Sequence, residues 1–430
     1  MAEPTPPSST SRQGLPDRAW LPDKIWLPGL AALLLALVFV AALLVRADGD
    51  PSLLVHAAPP WTSESEAPAS LTVQDAEDGF DGQFFYRLGV SPWSADEQVA
   101  GVEMDLPSLR NARWGYGALA YAFSAGDTDL VPWSLVALNV AAAGILGALG
   151  GALARISGRH AAWGLLFVLW PGFAYSLSLD TSELVASVFV VGGLLAARRG
   201  RWPVVAALLT AAVLTRDTTA VVPFGIAAAG AWAWWQGREL RKGRDAAETG
   251  SAATDQPPPA DDPTVGAWPG PLLGGLVPLV VFAGWQLLQR ARFGSLPLTS
   301  SGDNNLSAPF AGLIDLVTKA VPPDGGEDLF RLLSAIGLVA LLLAGASVWR
   351  QSSATTGERL AWLPAVAVVA VLNSYLWSGA TAFMRAGTEA ALLSIALLLA
   401  ANRDRLLPLA GIGLGGLWLF TAAAQLTKLG

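Results

Sequence analysis

Two carboxylates three positions apart, Asp78 and Asp81, open the run Asp78-Gly79-Phe80-Asp81-Gly82-Gln83-Phe84-Phe85-Tyr86-Arg87-Leu88. A carboxylate here can take a proton from an attacking hydroxyl. It can also simply favour the start of a helix. Phe80, Phe84, Phe85 and Leu88 recur at helical spacing, which predicts an amphipathic helix whose apolar face lies in a membrane interface. Gly79 and Gly82 let the backbone turn at the acids.

Other charged residues group in the same way. Asp180 and Glu183, in Leu177-Ser178-Leu179-Asp180-Thr181-Ser182-Glu183, have the spacing of a capping box, and the same pair could orient a substrate hydroxyl or a cation. Arg216 stands beside Asp217, and Arg385 precedes Glu389 by four positions, so local ion pairing is the simplest reading of both. Arg216, Arg385, Arg290 or Arg292 could instead grip a phosphate, because a guanidinium matches phosphate oxygens with a fixed fork of donors. Asp127-Thr128-Asp129 has a metal-site spacing but sits just before an apolar span and reads as a loop. The glycines at 411, 413, 415 and 416, and those at 144, 147, 150 and 151, fall inside apolar stretches and read as close helix packing rather than a phosphate loop.

Apolar segments must position these groups. The chain has 430 residues, 53% hydrophobic and 14% charged, well below the roughly 25% charge of a water-facing domain. Its mean hydropathy is positive. Uncharged stretches of about 17 to 22 residues match the length needed to cross a hydrocarbon core of about 30 Å. The expectation is an all-α polytopic membrane protein of about eleven transmembrane helices, with juxtamembrane amphipathic helices in a long first outer loop. Its spans fall at 27–45, 130–153, 161–179, 182–197, 202–214, 219–235, 269–288, 329–349, 360–377, 386–401 and 406–424.

Residues 1–26 read as a disordered cytoplasmic tail, 27–236 as an N-terminal transmembrane module with outer loop 46–129, 237–267 as a flexible cytoplasmic linker, and 268–430 as a C-terminal module with outer loop 289–328. The apolar segment 114–125 is too short to span and reads as interfacial or re-entrant. With it not crossing, the basic clusters at 155/159, 198/199/201, 238–244, 350/359 and 403/405 share a side with the N-terminus, as the positive-inside rule requires. Asp78, Asp81, Asp180, Glu183, Arg216, Arg292, Arg385 and Glu389 then lie at the outer face, several at span ends where an ionisable group is costly and commonly functional.

Exclusions follow from composition. Cysteine is absent, which removes disulfides, thiolate nucleophiles and Cys-based metal sites. The two histidines, His56 and His160, fall in segments placed on opposite sides of the membrane, against a His-based cluster or triad. A net charge of −7 argues against nucleic acid. No Gly-x-Ser-x-Gly or Walker sequence occurs.

The pattern resembles the GT-C superfamily of integral-membrane glycosyltransferases, which use polyprenyl-phosphate sugar donors. The resemblance lies in one span followed by a long outer loop carrying Asp-Gly-Gln-Phe-Phe-Tyr-Arg-Leu, then Pro171-Gly172-Phe173-Ala174-Tyr175-Ser176-Leu177 leading into Asp180 to Glu183, and Arg292-Phe293-Gly294-Ser295-Leu296-Pro297 after span seven. It implies Asp81 as the catalytic carboxylate, with Asp78 the second candidate. It also implies Asp180, Glu183, Arg216, Arg292, Arg385, Gln83 and Tyr86 around the substrate. The family's common adjacent pair of acids is replaced by Asp78 and Asp81, so no cofactor is required and a divalent metal is not favoured.

The activity implied is hexosyl or pentosyl transfer to a hydroxyl on a glycan, lipid or protein acceptor, at the outer face of a bacterial plasma membrane. The competing classes are a transporter or flippase for a lipid-linked or small polar substrate, and a non-catalytic membrane assembly protein.

Overall fold

Helix α1 (Trp26–Arg46) and helix α5 (Val131–Ile156) pack backbone against backbone because small residues line their seam. A Cβ added at Gly147 would come within 2.6 Å of the Pro28 carbonyl oxygen, and one at Gly151 within 2.7 Å of the Pro28 ring. The glycines at 144–151 are thus packing residues, as expected. Those in the last helix are not: at Gly413 and Gly416 an added Cβ would meet no atom within 4 Å. The computed structural model describes residues 22–76, 78–250, 269–300 and 305–428, without the side chains of 239–250.

Between α1 and α5 the long loop folds into a cap. It contains α2 (Asp81–Val90), a two-stranded hairpin of β1 (Gln98–Val99) and β2 (Val102–Glu103), α3 (Pro107–Ala112) and α4 (Trp114–Ser124). The eleven residues of α4 reach only about 16 Å at 1.5 Å per residue, half the hydrocarbon thickness, so α4 does not cross. It lies on α2 instead, with Gly117 so near Leu88 that a Cβ would sit 2.2 Å from the Leu88 Cβ.

A chain of helices follows: α6 (Leu165–Val168), α7 (Gly172–Ser178), α8 (Glu183–Arg198), α9 (Trp202–Thr215), α10 (Val221–Gly250) and α11 (Gly270–Phe293). The segment between α11 and the next long helix holds α12 (Pro297–Ser300) and α13 (Ala311–Ala320). The chain continues through α14 (Gly326–Val348), α15 (Thr356–Ala370), α16 (Ser374–Trp377), α17 (Ala380–Ala386), α18 (Thr388–Leu399) and α19 (Leu406–Lys428). The described protein is therefore all-α apart from one hairpin and isolated bridges.

Among the described residues, α1, α5, α11, α14 and α19 are long and apolar enough to cross a membrane. Two bent pairs raise the number to seven if each counts as one span: 161–168 with α7, bent by 65°, and α17 with α18, bent by 55°. Pro171 breaks the first pair, as a ring without an N–H must, and Gly387 marks the second. The expected spans 182–197, 202–214 and 219–235 are also helical, as α8, α9 and α10, whereas 360–377 is broken, with α15 ending at Ala370 and α16 starting at Ser374. Of these α8, α9 and α15 are short, at 16, 14 and 15 residues.

Two sequence expectations need correction. The segment assigned to a flexible linker begins as helix, because α10 runs unbroken to Gly250; the rest of it, 251–267, lies outside the described residues, as does the tail to residue 21. The apolar face of α2 does not meet lipid: Phe84, Phe85, Tyr86 and Leu88 are all buried in the protein. The loop folds back over them, and Gly82 fits tightly between the carbonyl oxygens of Val55 and Leu179, where a Cβ would lie 2.4 and 2.7 Å away.

Charges gather at the two ends of this bundle. At one end Arg155 pairs with Asp23 at 3.3 Å, Arg159 with Asp404, and Arg198 with Glu358 at 2.8 Å and the Ser157 hydroxyl at 2.6 Å. Glu358 also completes a capping box with Thr355 at the start of α15. The other end carries Asp81.

Candidate functional site

Asp81 is the first residue of α2, directly after Phe80. Gly79, with φ +58, makes the reversal that brings the chain to it. The carboxylate is not spent on capping. Its Oδ1 accepts from Arg110 Nη1 at 2.6 Å and its Oδ2 from Arg385 Nη2 at 2.6 Å, while Arg113 Nη1 stands 3.9 Å from Oδ2. Three arginines from α3, the turn after it and α17 thus converge on one acid. Burial alone would raise the pKa of Asp81, but Arg110, Arg385 and Arg113 together hold it far below the usual carboxylate range.

Each arginine is itself held. Arg110 forms a two-pronged pair with Asp105 at 2.7 Å on both arms and lies 4.2 Å over the Phe84 ring. Arg113 donates to Asp217 at 3.2 Å. Arg385 donates through Nε to Glu183 at 2.7 Å and lies 4.9 Å over the ring of Phe80. Deeper still, Arg216 donates to Glu183 at 2.6 Å, to Glu389 at 3.2 Å and to the Arg385 carbonyl at 2.8 Å. Thr218 donates to the same Glu389 oxygen at 2.9 Å, and Ser176 donates to the other oxygen of Glu183 at 3.1 Å.

The local pairings read from the sequence are therefore replaced by distant ones. Arg216 takes Glu183 and Glu389 instead of Asp217, and Arg385 takes Asp81 and Glu183 instead of Glu389. The break at Gly387 places Arg385 and Glu389 on two helices inclined to each other, which defeats an i,i+4 pair. The capping-box reading of Asp180 and Glu183 also fails. Ser182 is the N-cap of α8 and makes no side-chain cap bond, and Glu183 belongs to the arginine network.

Asp180 sits in the turn between α7 and α8 with φ +43, a left-handed conformation that Asp tolerates better than most residues. It has no exposed surface, and neither oxygen has a hydrogen-bond partner among the described residues. Burial pushes its carboxyl well above the usual range, which favours the protonated form. Because the unfolded chain would ionise it, this group favours the folded state less and less as pH rises above its ordinary value near 3.8. Asp180→Asn is expected to raise the thermal midpoint in nanodiscs, with a gain that grows as pH rises above that ordinary value. A gain independent of pH would show that titration is not its cause.

Asn139, fully buried on α5, ties this turn down. Its amide donates to the carbonyls of Ser176 at 2.9 Å and Thr181 at 3.2 Å and to the Tyr116 hydroxyl at 2.7 Å, while Tyr116 donates to the Leu135 carbonyl at 2.9 Å. Asn139→Leu strands these acceptors in a dry interior. It should cost about 1–3 kcal/mol, measurable as a lowered unfolding midpoint, and it should loosen Glu183 with the turn. An unchanged midpoint would mean that the turn holds itself.

Besides Asp180, three residues assigned to substrate lie outside the network. Gln83 is buried and accepts from Thr62 Oγ1 at 2.7 Å and from the Ala58 amide at 3.4 Å, so it fastens the cap to α2. Tyr86 is buried in the core beneath it. Arg292 donates to the Trp93 carbonyl at 2.8 Å and rests on Phe293, which joins α11 to the cap. Asp78 is exposed, and its backbone carbonyl receives only a long bond from Gln83 at 3.5 Å.

Sequence reading missed Arg110, Arg113 and Asp105. The available signal was the close pair Arg110 and Arg113 in a loop expected on the side that the positive-inside rule leaves poor in arginine. Among the described residues no three His, Asp or Glu side chains are grouped as metal ligands.

The assembled site has four guanidiniums (Arg110, Arg113, Arg216, Arg385) and five carboxylates (Asp81, Asp105, Glu183, Asp217, Glu389). Its outer members, Asp81, Arg110 and Arg113, keep 19%, 15% and 18% of their side chains exposed, while Glu183 keeps none. The site therefore opens toward Asp81. No protein-family model matches the chain, and no curated protein matches it at a significant level.

Proposed function

We propose that the protein is a membrane glycosyltransferase that moves a sugar from a polyprenyl-phosphate donor to a hydroxyl acceptor at the outer face of the membrane. The observation that carries this reading is a partly exposed carboxylate, Asp81, held among three arginines at one end of an apolar bundle. In this reading the chain crosses about eleven times, with each bent pair one span and the short helices α8, α9 and α15 in thinned or tilted positions. The basic residues at the opposite end then face the cytoplasm, along with the N-terminus.

The chemistry needs a base for the acceptor hydroxyl and cations for the departing phosphate. In the resting site Asp81 is a poor base, because its neighbours stabilise its ionised form. A donor phosphate competes for the same guanidiniums, and Arg110, Arg113 and Arg385 can turn their donors to it. That frees Asp81 and restores its basicity when donor is present. The bond from the anomeric carbon to the phosphate oxygen then breaks, and its electron pair leaves with the phosphate. The acceptor oxygen bonds to the anomeric carbon from the opposite face, its proton goes to Asp81, and the configuration inverts.

Purified protein should transfer radiolabelled sugar from a polyprenyl-phosphate donor pool, and Asp81→Asn should not. Full transfer by that variant would remove Asp81 from the base role.

A transporter or flippase is the second reading, favoured by the two bent helix pairs and the buried Asp180, whose oxygens have no hydrogen-bond partner among the described residues. Movement of labelled lipid-linked sugar across proteoliposomes without transfer to an acceptor would select it.

A further inference from the structure

The segment between α11 and α14 builds a cleft that the arginine network does not use. Its walls are α13, the start of α14 and α16, and its volume is about 280 Å³. Asp315 and Lys319 contribute from α13, Asp328 and Arg331 from α14, and Ser374, Tyr375 and Ser378 from α16 and the residue after it.

Helix α13 fixes the depth of this cleft. Ile314 and Val317, one turn apart on α13, are exposed at 61% and 45%, and the residues flanking the helix, Phe310 and Val321, are exposed at 55% and 54%. Such a stripe beside apolar spans marks a helix lying in the membrane interface. The other face of α13 bears Asp315 and Lys319, joined at 2.9 Å, and turns into the cleft. The cleft therefore opens at headgroup height.

Its lining suits a neutral hydroxylated ligand better than an anion. The two acids and two cations balance, and each cation already has a partner: Lys319 on Asp315, and Arg331 on Asp328 at 2.8 Å. A free phosphate would meet as much repulsion as attraction. By contrast, the lining mixes carboxylates, cations and hydroxyls, and the buried Nε of Arg331 has no partner among the described residues. Tyr375 is 74% exposed beside Ser374 and Ser378, so it offers an uncovered aromatic face. Rigid aromatic surface flanked by paired charges and hydroxyls fits the apolar face and the hydroxyl rim of a sugar ring.

The cleft also connects to the network. Trp377 of α16 stacks on Phe383 of α17 with ring centres 4.7 Å apart and planes at 24°. Two residues after Phe383, Arg385 donates to Asp81.

We infer that the cleft formed by Asp315, Lys319, Asp328, Arg331 and Tyr375 is a saccharide-binding subsite that receives a neutral sugar ring, free or carried as a lipid headgroup. Its role as the acceptor subsite rests on the glycosyltransferase reading, whereas binding itself does not.

Saturation-transfer NMR on the full chain in nanodiscs, with methyl α-mannopyranoside and octyl α-mannopyranoside as probes, tests it. Wild-type protein should transfer saturation to the ring protons. Tyr375→Ala and Arg331→Gln should weaken binding at least about 5-fold, as loss of one stacking or hydrogen-bonding group predicts, and Tyr375→Phe should retain it. A preference for the octyl glycoside that Tyr375→Ala abolishes would assign a lipid-borne sugar, and equal binding of both probes a free one. Probe binding is read without donor or transfer, so failure of the transfer reading would leave this result intact. Absence of binding to wild type, or equal binding by Tyr375→Ala and Arg331→Gln, would overturn the proposal.

Discussion

Glu183→Ala is expected to be among the most destabilising single changes in this protein. Glu183 has no exposed surface and receives Arg216 at 2.6 Å, Arg385 at 2.7 Å and Ser176 at 3.1 Å. Removing one member of a buried charge network leaves its partners uncompensated in a medium that solvates them poorly, and that costs about 3–5 kcal/mol. Arg216 would retain Glu389 at 3.2 Å, and Arg385 would retain Asp81 at 2.6 Å. The loss is therefore shared by two cations rather than falling on one.

Glu389→Gln should cost less, because Arg216 keeps its shorter bond to Glu183 and a neutral amide still accepts a hydrogen bond. Unfolding midpoints of the two variants in the same nanodisc preparation order them. Equal midpoints would mean that Glu183 is not the hinge of the network.

Asp81→Asn should separate two effects that are usually confounded. The variant should fold, because Arg110 keeps its two-pronged pair with Asp105 and Arg385 keeps Glu183. Removing the proton acceptor should reduce transfer by about 10²- to 10⁴-fold, the range typical of general-base catalysis. Donor affinity should move the other way. With one negative charge gone and no change in the guanidiniums, an anionic headgroup gains free donors at Arg110, Arg113 and Arg385, so polyprenyl phosphate should bind more tightly than to wild type.

The expected pattern is thus a fall in turnover together with tighter donor binding, and the tightening should weaken as salt is added. If both transfer and donor binding are lost, Asp81 instead organises the arginines. If neither changes, the site lies elsewhere.

Much of this was legible in the chain. Scarce charge and long apolar runs determine an all-α membrane protein, because a spanning backbone must satisfy its own polar groups. The length of 114–125 alone keeps α4 from crossing. Glu183, Arg216 and Arg385 stand out in the sequence because ionisable groups at span ends are expensive, and Asp81 because it opens an amphipathic run; the structure brings all four into one network.

What each of them touches was decided only by tertiary structure. Neighbours in sequence, Arg216 with Asp217 and Arg385 with Glu389, offered pairs that the fold does not form. Partners 33, 202 and 304 positions away took their place. The same holds for Phe84, Phe85 and Leu88, whose helical spacing specifies an apolar face but not whether lipid or protein covers it. Hydropathy and periodicity are properties of a few adjacent residues, so a sequence carries them openly. An ion pair is set by where helices pack, and that depends on close approaches such as Gly82 against Val55 and Leu179, which no local pattern encodes.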